Sequence, residues 1–190
     1  MAPESRIPPG QRVTPKWPVL HYGAVPQAQL DRWDFRIFGL VEKPVRWTRA
    51  ELMALPQTRI VSDIHCVTRW SKLDMDFEGV SVRELLKHVK LNPAARFAMI
   101  HCEQGFTTNL PLADLLEGDV ILAHKAYGED LTPEHGWPLR LVVPHLYFWK
   151  SAKWVRAIEF LAEDSPGFWE QNGYHMRGDP WQEERLRGES

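Results

Sequence analysis

The chain has 190 residues and a mass of 22.1 kDa, with 44% hydrophobic and 25% charged residues, a formal charge of −2 and a pI near 6.4. That balance leaves no basic footprint for nucleic acid, and no window approaches the roughly 18 apolar residues of a membrane span. The length suits one domain with a sizeable core. With no leader or twin arginine recognised at the amino terminus, the expected compartment is the cytoplasm, where two cysteines serve as thiols or metal ligands rather than as a disulfide.

Residues 1–30 are rich in proline and lack periodicity. They read as an extended amino-terminal arm packed on the domain of residues 31–190, because Trp17, Val19, Leu20 and Tyr22 need burial. Trp33 to Val41 alternates like a half-buried strand ending at Gly39. Thr48-Arg-Ala-Glu51 fits a capping box, and Pro56 stops the short helix that follows. Thr58 to Ile64 reads as a strand that delivers Cys66, and a polar, aromatic loop follows it. Ser81-Val-Arg-Glu84 opens a second helix with Leu85, Leu86 and Val89 on its inner face.

Arg96 to Glu103 reads as a strand carrying Cys102. Leu112 to Leu116 form a short helix behind Pro111. Val120 to Ala126 turns at Tyr127-Gly128-Glu129-Asp130 into a following segment. Trp137 to Val143 is the most strongly β stretch, and Lys153 to Leu161 alternates again. The tail from Asp164 is expected to wrap the surface. Short helices among five to eight strands predict a single mixed α+β domain.

Three places carry candidate chemistry. Cys66 lies among His65, Thr68, Arg69 and Lys72, a cationic setting that favours a thiolate ligand or nucleophile; the alternative is a small hydrophobe at a strand end. His65-Cys66 and His101-Cys102 suggest a zinc site, but adjacent strand residues point to opposite faces and zinc-motif spacing is missing. Arg140 interrupts an apolar strand, so its guanidinium meets either an anion or polar ring, or one of the protein's own carboxylates. Lys150-Ser-Ala-Lys153 is either a phosphate-holding loop or a solvated turn.

At Trp33-Asp-Phe-Arg-Ile-Phe-Gly, Cys66-Val-Thr-Arg-Trp-Ser, His135-Gly-Trp-Pro-Leu-Arg-Leu-Val-Val-Pro and Lys150-Ser-Ala-Lys-Trp the chain resembles the sulfite oxidase family of molybdenum enzymes, from about Pro18 to Tyr174. The resemblance implies a β-rich molybdopterin-binding fold with Cys66 as the protein ligand of molybdenum. It places His21, Tyr22, Gly23, His135 and Arg140 on the pterin, and Lys150, Ser151, Ala152 and Lys153 on its phosphate. Arg69 and His124 become the candidates for orienting an oxyanion, and Cys102 either lines the pterin pocket or packs on its strand.

The implied activity is transfer of an oxygen atom and two electrons to or from a small oxo-anion or sulfoxide-type substrate, with a separate electron-transfer partner. No haem-attachment motif or immunoglobulin-like dimerisation domain is recognised, so a monomer is expected. Two other readings are a non-catalytic cofactor-binding module and a cysteine or zinc protein using Cys66 with His65 or His101.

Overall fold

The computed structural model describes residues 6–188. In chain order its strands are β1 (Arg12–Val13), β2 (Asp34–Gly39), β3 (Val45–Thr48), β4 (Thr58–His65), β5 (Trp70–Ser81), β6 (Phe97–Cys102), β7 (Thr107–Pro111), β8 (Ile121–Ala126), β9 (Glu129–Asp130), β10 (Arg140–Val142) and β11 (Val155–Leu161). The helices are short: α1 (Arg49–Ala54), α2 (Val82–Leu86), α3 (Leu112–Leu115) and α4 (Phe168–Gln171). One sheet runs β1-β5-β8-β10, with β4 also on β5 and β9 on β8; the other runs β3-β2-β11-β6-β7. In the second sheet β2 and β11 are parallel and the remaining pairs antiparallel. The mixed α+β architecture is the expected one.

Period-two burial explains why the sheets share a core. Phe35 and Ile37 of β2, Ile100 of β6, and Ile158 and Phe160 of β11 are fully buried with Val80, Leu122 and Leu141 of the first sheet. Each large apolar side chain contributes about 1.5–3 kcal/mol on burial. A second cluster of Ile64, Met75, Phe77, Ile121, Ala123 and Val142 is covered by Trp17, Trp70 and Phe148.

The capping box at Thr48 is complete, with the Glu51 amide on the Thr48 hydroxyl and the Thr48 amide on the Glu51 carboxylate. The two-residue turn Tyr127-Gly128 joins β8 to β9 with both residues at positive φ, as a tight hairpin requires. Among the described residues no helix is long and apolar enough to cross a membrane.

Three expectations change. The segment after Cys66 is β5, the longest strand of the fold, rather than a loop. Met75 and Phe77 are fully buried while Asp74 and Glu78 face outward, an alternation that the charged residues obscured. The apolar run before Val143 forms only the three-residue β10, because Trp137 and Pro138 belong to a turn. The arm is laid on the domain through β1, which pairs with β5 at Trp70 and Ser71, and through Trp17. Val19, Leu20 and Tyr22 nonetheless stay exposed at 45%, 53% and 68%.

Candidate active site

A pocket of about 510 Å³ opens where β4 and β6 end and β10 and β11 begin. His21, Tyr22, Gly23, Cys66, His135, Arg140, Ser151, Ala152 and Lys153 all line it. These residues come from four separate stretches of the chain. Arg69, Cys102, His124 and Lys150 are not on its wall.

Cys66 closes the end of β4. Its amide donates to Trp70 O at 2.8 Å, and its Sγ lies 3.1 Å from Thr68 Oγ1. The residue is 8% exposed, and burial pushes the thiol above its ordinary pKa, against the lowering from Thr68 and Arg185. The thiolate-favouring neighbourhood read from the sequence is therefore not formed. His65 turns to the other side of the strand, its Nδ1 2.8 Å from Ser71 Oγ, and Lys72 Nζ donates to Pro15 O at 3.3 Å. A buried thiol of this kind becomes a ligand when a metal displaces its proton. Cys66 and Cys102 are free thiols. Among the described residues no three His, Cys, Asp or Glu side chains converge on a metal position, so the zinc reading finds no ligand set.

The opposite character of the pocket comes from cations. Arg140 is 2% exposed; its Nη1 donates to His135 O at 2.7 Å and its Nη2 to Ser151 O at 2.8 Å. Its Nε is buried without an acceptor, and among the described residues no carboxylate lies within ion-pair distance of it. The guanidinium lies 4.4 Å from the Phe148 ring centre and 5.5 Å from that of Trp17. Burial lowers its pKa to about 9. Lys153 Nζ donates to Leu20 O and Glu134 O at 2.8 and 2.9 Å, and burial together with the nearby Arg140 charge lowers its pKa to about 7.

Gly136 is the hinge between these groups. At φ 110° a Cβ there would sit 3.0 Å from Arg140 Cβ and 3.1 Å from Lys153 Cβ, so only glycine permits the approach. His135 stacks on Trp17 at 3.9 Å, its Nδ1 3.0 Å from Thr132 Oγ1, and burial lowers its pKa. His21 Nδ1 lies 3.0 Å from Gly23 O in the arm.

The four residues off the pocket wall are placed elsewhere. Lys150 is fully buried and paired with Glu170 at 2.7 Å; it also donates to Asn109 O, Asn109 Oδ1 and Met176 O. Its ammonium is fully occupied, so the phosphate role read for it is not available to its side chain. The solvated-turn alternative fails as well. His124, on β8, has its Nε2 2.9 Å from Gln57 Oε1, outside the residues that line the pocket. Arg69 sits at φ 71° on the exposed side of the Cys66 turn. Cys102 belongs to the main core cluster, where burial drives its thiol pKa upward.

Sequence reasoning passed over the aromatic wall. Phe106, Trp149, Trp154, Phe168, Trp169 and Tyr174 complete the pocket. Tyr174 stacks on Trp169 with ring centres 5.0 Å apart and meets Trp149 edge-on at 5.0 Å. Burial raises the Tyr174 pKa, and the nearby Cys66 adds to the shift. Trp154 adopts φ 56°, a conformation costly for a bulky side chain, and its Nε1 donates to Pro133 O at 2.8 Å. The buried Lys150–Glu170 pair anchors this wall, since Glu170 also accepts from Trp149 Nε1 at 2.8 Å and Thr108 Oγ1 at 3.0 Å.

The buried Arg140 and the half-buried Lys153, neither with an anion of its own, face a cavity that Cys66 also lines, a setting that suits an anionic group. The match that gives the group its name covers residues 22–169, and the chain belongs to the oxidoreductase molybdopterin-binding domain family. Molybdopterin with its molybdenum is the cofactor of this family. An uncharacterized oxidoreductase of Bacillus subtilis (strain 168), YuiH, is 50% identical over 95% of this chain and 92% of its own length. Sulfite oxidase of Arabidopsis thaliana is 27% identical over 82% of this chain and 49% of its own length. Among solved structures, the sulfane dehydrogenase SoxCD of Paracoccus pantotrophus superposes with a TM-score of 0.69 at 25% identity, over 75% of this chain and 41% of that one. The chain thus spans about half of the plant enzyme and less of SoxCD.

Proposed function

We propose that this chain is a molybdenum-dependent oxidoreductase acting on a small oxo substrate, an oxo-anion or a sulfoxide-type compound, with Cys66 as the protein ligand of the metal. When bound, the cofactor supplies two-electron oxygen-atom transfer. The residues present fit it. The observation that carries the reading is Arg140, a buried guanidinium with an unpaired Nε and no carboxylate partner, on the wall of the pocket that receives the Cys66 thiol.

Arg140 and Lys153 would hold the anionic end, since an anion between them restores the charge that burial disfavours. The amides of Ala152 and Lys153, which donate to no backbone carbonyl among the described residues, would add neutral donors there. His21, Tyr22, Gly23 and His135 would meet the edge of the pterin. Cys66 would give up its proton on ligation. Thr68 and Tyr174 are the hydroxyl groups on the Cys66 side, and they take over the orientation of substrate that Arg69 and His124 do not reach. The aromatic wall would exclude water from the reacting centre. A separate carrier would remove or deliver the electrons.

The test is elemental analysis with pterin fluorescence after oxidation, on full-length protein from a molybdenum-sufficient host, followed by turnover with sulfite and with organic sulfoxides using artificial electron carriers. One molybdenum and one pterin per chain with turnover support the reading. Bound cofactor without turnover on any oxo compound would leave the non-catalytic module, and stoichiometric zinc without pterin would replace both.

A further inference from the structure

We infer that Gln11 and Arg185 are positioning residues for Cys66, clamping the turn that carries its thiol from the two ends of the chain; the inference rests on the reading of Cys66 as the metal ligand. The turn is narrow. Arg69 N donates to Cys66 O at 3.0 Å, and Arg69 closes the turn at φ 71°. Three of its carbonyls, Cys66 O among them, are each held by a segment remote in sequence. Cys66 O accepts from Gln11 Nε2 at 3.0 Å, Val67 O from Arg185 Nη1 at 2.7 Å, and Arg69 O from Arg12 N at 3.0 Å.

Arg185 joins the two ends. It is 6% exposed, its guanidinium lies 4.8 Å from the Tyr147 ring centre, and its Nη2 reaches Pro9 O at 3.3 Å. The amino-terminal arm passes close to this junction at Gly10, whose φ of 69° is a conformation that favours glycine. A Cβ there would sit 2.8 Å from Glu183 Oε1, 2.9 Å from Arg69 Nη1 and 3.3 Å from Arg185 Nη2. Arg69 is therefore part of this junction, which explains its absence from the pocket wall.

The clamp has a use beyond holding the termini down. A ligand must be held within about 0.5 Å of its bonding position by groups whose own conformations are fixed. The residues behind a ligand set its direction as much as the ligand itself does. Here the turn's own hydrogen bond leaves two of its carbonyls, Val67 O and Arg69 O, facing outward, and a guanidinium and a backbone amide fix them. A charged donor on Val67 O is the strongest of the three contacts.

The test uses full-length protein, cofactor-free and cofactor-loaded, with Arg185→Gln, Arg185→Lys and Gln11→Ala. In cofactor-free protein, hydrogen exchange at the Arg69 amide rises about tenfold in Arg185→Gln, the scale of one lost charged hydrogen bond, and less in Arg185→Lys. Amides of β6 and β11 keep their protection. In loaded protein the thiolate-to-molybdenum charge-transfer absorption moves in Arg185→Gln and returns towards wild type in Arg185→Lys. Exchange that rises equally through β6 and β11, or a turn that stays protected, overturns the proposal.

Gln11→Ala acts on the Cys66 carbonyl from the other end and gives the same reading if Arg185→Gln does not fold. Wild-type protein that carries no molybdenum refutes the functional reading, while the exchange result still decides the clamp.

Discussion

Replacing Arg140 by methionine separates the two states of the protein, because the guanidinium is a burden without an anion and an asset with one. Burial holds its pKa at about 9. At about 1.4 kcal/mol for each tenfold change, that displacement from an ordinary guanidinium is about 5 kcal/mol of unfavourable free energy in the cofactor-free protein at neutral pH. Methionine removes the charge and keeps apolar contact with Phe148 and Trp17. It also leaves the His135 and Ser151 carbonyls without their donor, at about 1.5 kcal/mol each. The net expectation is a cofactor-free Arg140→Met protein more stable by about 2 kcal/mol, in line with the usual gain when a buried charge is replaced by an apolar isostere.

The loaded protein moves the other way. Losing one buried, charge-assisted contact to the anionic end weakens cofactor binding by about 3 kcal/mol, roughly a hundredfold. Urea unfolding of stripped protein, paired with cofactor content after purification, measures both signs. A variant that is less stable when stripped and still retains wild-type pterin would refute the assignment of Arg140 to an anion.

The remaining predictions follow from the same geometry. Lys153 has its pKa lowered to about 7, so in stripped protein it binds fewer protons folded than unfolded; stability is then lowest below pH 7 and rises as pH climbs above it, with Arg140 adding to the slope above about pH 9. Denaturant midpoints at pH 7 and pH 9.5 should show this rise in stripped protein and lose most of it in loaded protein. Lys150→Met leaves the fully buried Glu170 carboxylate unpaired and is expected to cost about 3–5 kcal/mol; adding Glu170→Leu should recover much of the loss in thermal unfolding. Cys102→Ser, a core substitution, should cost about 1–2 kcal/mol and keep its molybdenum, because this thiol does not face the pocket; loss of the metal would return Cys102 to the ligand set.

Much of this site can be read from residue types alone, and the rest fails for identifiable reasons. Arg140 was legible because a permanent charge in an apolar strand demands compensation wherever the chain goes. Cys66 was legible as a thiol at a strand end, but not its high thiol pKa, since the basic residues beside it in sequence alternate to the other face or to the surface. Lys150 and Lys153 look equivalent on paper. The difference is Glu170, twenty positions further on, which the fold brings to within 2.7 Å of Lys150 alone. β5 escaped because its charged residues suggested a loop, although Leu73, Met75 and Phe77 already kept the period of a strand. The aromatic wall was not legible at all, because Tyr22 of the arm meets Phe168 and Trp169 of the tail only after the chain has folded.

The central claim is that the Cys66 sulfur binds molybdenum in this pocket, and X-ray absorption at the molybdenum edge of loaded protein tests it most directly. The account predicts one more sulfur neighbour in the wild type than in Cys66→Ser, with Cys102→Ser indistinguishable from the wild type. An identical sulfur shell in the wild type and Cys66→Ser would contradict it.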